Sequence, residues 1–386
     1  MAGRFVLLVA TTNGAFLCET DNDRQSWQIH GPHLPGWEVY SILGDNSGSN
    51  RLFAGTHHRA GGATIQYSDD FGAKWQPVEA GPSFPKPRVF DYETFQWVNP
   101  ADDNPHKMVF SLNRIWHLAE GGPEQPDTFF AGTEEAAIFK SRDGGMTWEE
   151  LDGLTSHPTR PHWGPGAGGM GLHTIIPHPT NPDRIWVAMS SAGVFRTDDG
   201  GKTWQVCNEG LHPVPTGKPR DENIGCCVHK MVLDPDDPDV LYMQDHGSVN
   251  KSVDGGDSWF RIEEGLGKEG DDRFGFPIVM SHTGDLYIFP LTSSEHRVAR
   301  GGAPVVYRST DRGESWHPVK GDYSSQSSYV NVLRDGMAVD SLDPYGLYFG
   351  TSSGELFYSL DRGDSWQAIP ARFPRITSVR AWVPTA

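Results

Sequence analysis

One short phrase recurs along the chain and constrains its fold more than any bulk property does. Residues 141–148 read SRDGGMTW, 197–204 TDDGGKTW, 252–259 SVDGGDSW, 309–316 STDRGESW and 359–366 SLDRGDSW. A looser copy, SDDFGAKW, lies at 68–75. A worn copy, TDNDRQSW, lies at 20–27, with Asn22 where Asp is expected and Arg24 where Gly is expected. Most closing tryptophans follow one another at about 50–57 residues, with one longer gap before Trp148. Self-similarity at this period marks a repeat architecture. Each phrase also has the chemistry of a turn: Asp accepts backbone N–H bonds, Gly takes a positive φ, and the Ser or Thr hydroxyl closes the loop.

Two strand-like runs precede each phrase, as in RIWVAMSSAGVFRT at 184–197 and DVLYMQDHGSVNKS at 239–252. The tryptophan then opens a further strand and packs between sheets. The clearest copy predicts four strands, at 172–177, 184–189, 193–197 and 203–207. Seven such units arranged radially make an all-β, seven-bladed propeller of four-stranded blades, read here as a single domain over 1–386. The 45 glycines and 29 prolines fit many short strands joined by tight turns. The N-terminal run supplies the outer three strands of one blade (5–10, 15–20, 26–30), and 375–383 supplies its innermost strand. The two ends of the chain thus share a blade, which removes free sheet edges.

The phrase resembles the Asp-box, or BNR repeat, of sialidase-like propellers, and the chain is similar over nearly its whole length to bacterial BNR-like repeat proteins of this size. That resemblance implies the fold, and it implies a glycosyl hydrolase or sialidase label. The sialidase motif Phe/Tyr-Arg-Ile-Pro is missing near the N-terminus, and FPRIT at 373–377 is a scrambled counterpart at the wrong end. Sialidases of the family also usually carry six blades.

A formal net charge of −18 argues against nucleic acid as a partner, since phosphates need a basic stripe to displace their counterions. No Lys/Arg run suits an anionic membrane surface either. Cys18, Cys207, Cys226 and Cys227 match no zinc-ribbon or CxxC spacing and read as reduced thiols, which points to a cytoplasmic protein. The opening MAGRFVLLVATTNG reads as a strand running into a turn rather than as an export signal.

In a propeller of this type the boxes occupy one rim, and the long, unusual segments gather on the other. Those segments include 56–62, the insertion from about 80 to 111, 155–171, 208–227 and 291–303. Loops on a rigid scaffold are where binding and catalysis concentrate. His117, His173 and His229 each lie ten residues before the Asp that opens the next strand, with Phe276 and Asp335 at the corresponding places of the following blades. His246 lies in the DHGS turn near His229. Three imidazoles and a carboxylate suit a divalent transition metal, whether Zn, Fe, Mn or Cu.

The expectation is therefore a metal-dependent hydrolase or lyase acting on a small polar or carbohydrate-like substrate. His117, His173, His229 and His246 would bind the metal. Asp335 and Glu134 would act as ligand or general base. Arg297 and Arg334 would orient an anionic group, with Arg160, Trp163, Phe276 and Tyr329 completing the substrate site. Arg220 is a further rim arginine able to clamp a substrate carboxylate or phosphate. A first alternative is a metal-free glycoside hydrolase or glycan-binding propeller that uses rim aromatics and carboxylates from Glu134, Glu135, Asp221, Glu222 and Asp335. A second is a non-enzymatic protein-interaction scaffold.

Overall fold

The computed structural model describes residues 4–84, 88–91, 96–98, 101, 107–165, 168–190, 192–213, 224–267, 273–319, 321, 323 and 327–385. Seven four-stranded antiparallel sheets account for nearly all of its regular structure, as an all-β, seven-bladed propeller requires. Each blade runs strand to strand in chain order except the first, whose order is Gln28–His33, Gly14–Asp21, Arg4–Thr11 and Ile376–Trp382. The C-terminal strand does pair with the N-terminal one, Val9 facing Val379 and Leu7 facing Ala381.

Packing divides the chain into two compact units, one of Met1–Ala54, Tyr67–Gln76 and Val228–Ala386, the other of Gly55–Gln66 and Pro77–Cys227. The first holds blade 1. It also holds blade 5 (Val228–Leu233, Leu241–Asp245, Val249–Ser252, Phe260–Arg261), blade 6 (Gly275–Met280, Leu286–Pro290, Val306–Ser309, His317–Val319) and blade 7 (Met337–Val339, Leu347–Gly350, Leu356–Ser359, Gln367–Ala368). The second holds blade 3 (Arg114–Glu120, Phe129–Glu134, Ile138–Ser141, Glu149–Glu150) and blade 4 (Leu172–Pro177, Ile185–Met189, Gly193–Thr197, Gln205–Val206). Blade 2 (Glu38–Gly44, Leu52–His58, Gly62–Ser68, Gln76–Pro77) draws on both stretches. Part of the insertion at 80–111 forms a separate three-stranded sheet of Lys107–Phe110, Arg88–Asp91 and Gln96–Val98.

The recurring phrase folds as the turn between the third and fourth strands. In blade 4 the Thr197 hydroxyl donates to Asp199 (2.8 Å) and accepts the Gly201 N–H (2.9 Å), while Asp199 accepts both the amide (2.9 Å) and the hydroxyl (2.6 Å) of Thr203. Blades 3, 5, 6 and 7 repeat this set with Asp143, Asp254, Asp311 and Asp361. Gly200 and Gly201 sit at φ 74° and 98°, where a side chain is strained. The closing tryptophans then enter the apolar layers between neighbouring sheets. Trp316 is fully buried with Tyr242, Ile278 and Ile288, and Trp366 packs with Phe289, Leu347 and Phe349. Each such side chain contributes roughly 1.5–3 kcal/mol on burial, so these layers hold the blades together more than the turns do.

A second device links neighbouring blades in the first unit. Arg24, Arg312 and Arg362, all from the box turns, reach an Asp in the first hairpin of the preceding blade: Asp340, Asp234 and Asp285 respectively. A tyrosine hydroxyl donates to each of these carboxylates, from Tyr348, Tyr242 and Tyr345. Arg24 explains the worn box. It stands where glycine is expected, at φ 53°, and its guanidinium donates to Asp340 and to the Pro344 carbonyl (both 2.8 Å).

Two predictions follow from these contacts. The side chains of Arg24 and Asp340 are 5% and 1% exposed, so Asp340→Ala strands a buried guanidinium and should lower unfolding free energy by about 3–5 kcal/mol. Urea denaturation would read this, with the exposed pair Arg308–Asp364 as a control worth about 0–1 kcal/mol. The box carboxylates should govern acid stability. Burial opposes ionisation of Asp199, but the Thr203 hydroxyl and amide and the Thr197 hydroxyl outweigh it and hold its pKa at about 2. Asp311 is likewise held at about 2, the hydroxyls of Ser315 and Ser309 and the Ser315 amide overcoming burial. A depressed folded pKa adds stability that is present above the unfolded value near pH 4 and lost as pH falls through about 2. Urea midpoints should drop across that window, and less steeply in an Asp199→Asn/Asp311→Asn variant.

Candidate functional site

The innermost strands start with an irregularity that re-aims single side chains. Pairing skips Trp116 in Arg114–Glu120, His173 in Leu172–Pro177 and His229 in Val228–Leu233. In Gly275–Met280 it skips Phe276 and Pro277. A bulged residue is left out of the ladder and the strand bends around it, a device common beside functional sites. This corrects the expected register of three histidines. His117 pairs with Gly132 inside the ladder, and Trp116 takes the bulge. The cause is loop length: the first hairpin of blade 3 spans 121–128, one residue more than 178–184 and 234–240 in blades 4 and 5.

In the first unit, His229 and His246 face each other with ring centres 5.4 Å apart, walled by Phe274 and Phe276. His229 Nδ1 donates to the Gly275 carbonyl (2.5 Å), which directs Nε2 away from that bond. Burial, then the Arg334 charge, holds the His229 pKa well below the ordinary histidine value; burial and the Arg297 charge lower that of His246. The two guanidinium carbons lie 5.1 Å (Arg334) and 5.8 Å (Arg297) from the Phe276 ring centre. Phe276 is 4% exposed, so it is a platform for arginines and offers no open face to a sugar. Tyr329, 65% exposed, flanks Gly302 in the same group of loops. Asp335 forms an ion pair with Lys230, and its backbone carbonyl accepts the Val379 N–H (2.7 Å).

In the second unit, Glu134 ends the second strand of blade 3 and Glu135 follows it. Arg114 donates to the Glu134 carboxylate, and Asn113 Nδ2 donates to Glu135 (3.4 Å). Burial raises the Glu135 pKa, the Arg160 charge opposes the rise, and the Glu134 charge adds to it. Gly169, at φ 94°, covers Glu134 so closely that a Cβ there would overlap the carboxylate. The Arg160 guanidinium carbon lies 4.6 Å from the Trp163 ring centre, and Trp163 packs edge-on against Phe195. Both are buried. Arg160 therefore acts on the site as a charge near Glu135, and Trp163 as a wedge. The half-buried ring of Trp116 packs against Gly171 at the bulge.

His173 is fully buried, its Nδ1 3.2 Å from the Thr174 hydroxyl, and His117 is buried in its strand. Among the described residues, one set of three ligating side chains has donor atoms within 4.8 Å of one another: His229, His246 and Cys227, two residues before His229. His117 and His173 belong to no such set. Arg220, Asp221 and Glu222 lie outside the described residues.

The chain is a seven-bladed β-propeller built on Asp-box repeats. A BNR/Asp-box repeat model matches residues 307–318. Over 275 residues the chain is 23% identical to a xyloglucanase from a Paenibacillus species, a match covering 64% of this chain and 25% of that protein. It is 24% identical over 270 residues to xyloglucanase Xgh74A of Acetivibrio thermocellus (65% and 29% covered). It is 22% identical over 285 residues to an oligoxyloglucan-reducing end-specific xyloglucanase of Emericella nidulans (64% and 33%). The chain thus spans a quarter to a third of the curated relatives it matches. The crystal structure of an ancestral GH74 enzyme has the same fold, with a TM-score of 0.54 at 15% identity over 91% of this chain and 39% of that one. These relatives are carbohydrate hydrolases, which overturns the expectation of a metal-dependent hydrolase or lyase and favours the glycoside hydrolase or glycan-binding alternative.

The lowered histidine pKa values have a direct readout. In ring-nitrogen NMR, His229 should remain neutral at pH 6, where an unperturbed imidazole is mostly protonated, and His246 should titrate below an unperturbed imidazole. Because unfolding lets them charge, their contribution to stability should fall as pH drops below about 6.5.

Proposed function

We propose that this protein acts on a xyloglucan-like polysaccharide as a glycoside hydrolase that uses two carboxyl groups and no metal. The observation that carries this reading is the Glu134–Glu135 pair: one carboxylate neutralised by Arg114, the other half-buried with its pKa raised. Two carboxyls in unlike environments are what glycoside hydrolysis needs. Glu135, holding its proton to higher pH, would donate it to the glycosidic oxygen as the C–O bond breaks. Glu134 would take a proton from the water that attacks the anomeric carbon, leaving a hemiacetal and a free hydroxyl. Trp116 supplies a ring against which a sugar face can stack. The similarity to xyloglucanases along about two-thirds of the chain supports the substrate class.

The test is release of reducing ends from xyloglucan and mixed-linkage β-glucan, with and without chelator. Hydrolysis unaffected by chelator, with Glu135→Gln lowering kcat by about 10²–10⁴-fold, is the expected outcome. A chelator-sensitive activity, or a Glu135→Gln variant as active as the parent, would sink the acid–base assignment. Retardation of an inactive protein in gels containing xyloglucan would reduce the function to glycan binding.

A further inference from the structure

The carboxyl pair stands beside a loop whose internal bonding the hydrolase reading leaves unused. We propose that His157 is a positioning residue of that site: it locks the 157–163 loop and so fixes where the Arg160 charge stands relative to Glu135. Its effect on catalysis rests on the hydrolase reading; the contacts do not.

The neighbours of His157 set its tautomer. The Thr159 N–H points at Nδ1 (3.2 Å), so Nδ1 is the acceptor and Nε2 carries the proton, which it donates to the Trp204 carbonyl (3.2 Å). The Thr159 hydroxyl, 2.8 Å from Nδ1, then donates to the same nitrogen and accepts the Trp163 indole N–H (3.0 Å). The backbone closes over this chain. Arg160 N–H donates to the His157 carbonyl (2.8 Å), and Trp163 N–H to the Arg160 carbonyl (3.1 Å). The imidazole and the indole both meet Phe195 edge-on, with ring centres 5.2 and 4.9 Å away. Phe195 is fully buried in the third strand of blade 4, so the loop is tied to a fixed point of the sheet.

Arg160 lies between this loop and the segment that closes on the carboxyls. Its guanidinium sits 4.6 Å from the Trp163 ring centre, and Nη1 stands 3.6 Å from Met170 Sδ. Met170 is flanked by Gly169, which covers Glu134, and by Gly171, which forms a β-bridge with Glu134. Arg160 is 4% exposed, so water screens its charge little. Burial raises the Glu135 pKa, the Arg160 charge opposes the rise, and the Glu134 charge adds to it. Displacing the guanidinium should therefore let Glu135 keep its proton to higher pH. The groups that face the His157 ring are the Thr159 amide and hydroxyl, the Trp204 carbonyl and the Phe195 ring, and these carry no charge. Burial lowers the His157 pKa against the pull of the Trp204 carbonyl, which keeps Nδ1 open as an acceptor.

Carboxyl-carbon NMR of the full chain, with Glu135→Gln to assign the signal, reads the Glu135 titration directly. Arg160→Met and His157→Phe should each move its midpoint up, the first by about one pH unit and the second by less. His157→Asn should stay near the parent, because an asparagine oxygen accepts the N–H two residues on, as Nδ1 does here. Should His157→Phe fail to fold, Thr159→Val, at a half-buried loop position, removes the hydroxyl link to Trp163 and should give the same upward shift. An unmoved midpoint in whichever of these folds overturns the proposal. So does an equal shift in His157→Asn, which would mark general loosening of the loop. On xyloglucan the alkaline limb of kcat should move with the midpoint. A shifted titration in a protein that does not hydrolyse xyloglucan would retire the acid–base reading and keep His157 in its role. Hydrolysis with an unmoved midpoint in His157→Phe would do the reverse.

Discussion

The Asp-box turn is the constraint on which the remaining structure depends. One hydroxyl, from Ser or Thr, both donates to the box aspartate and accepts an amide four residues on. The aspartate in turn fixes the amide and hydroxyl of the residue before the tryptophan. Each bond is worth only about 1 kcal/mol. Their value lies in direction: the closed turn commits the tryptophan to the layer between sheets, where burial supplies the larger energy. Where the box carries arginine, as at Arg312 and Arg362, the turn also reaches the hairpin of the preceding blade. A local motif thereby sets a non-local contact.

Fixing the blades at their box ends leaves the other ends to differ, and there the strands open with bulges. A bulge decides which of two adjacent side chains leaves the ladder, so the same strand can present histidine or tryptophan depending on one residue of loop length. Blade 5 presents His229 to two arginines; blade 3 presents Trp116 near two carboxyls. The chemistry of each blade mouth is therefore a matter of register as much as of composition.

This sorts what was legible in the sequence from what was not. The blade count, the strands of blade 4 and the shared first blade were legible because box residues act on neighbours within eight positions and hydrophobic alternation is local. The metal reading was drawn from a spacing of ten that held in sequence but broke in space, since the hairpin after His117 is one residue longer. Arg24 looked like decay of a motif because its partner, Asp340, is 316 residues away. Glu135 and Glu134 read as equal acidic residues, since burial and the charge of Arg160 are invisible in a string of letters. Arg297, Arg334 and Phe276 were each named from sequence as substrate-facing; that the ring would carry the arginines depended on contacts between residues far apart in the chain.

The two clusters also differ in the groups that surround them. Glu134 and Glu135 stand among the Arg114 and Arg160 charges, whereas the Phe276 ring is flanked by His229, Arg297 and Arg334. Evolution of ligand preference in this scaffold need not alter a box: shifting a bulge by one residue, or exchanging the loop that carries Arg297, changes the chemistry while the turns that hold the blades stay as they are.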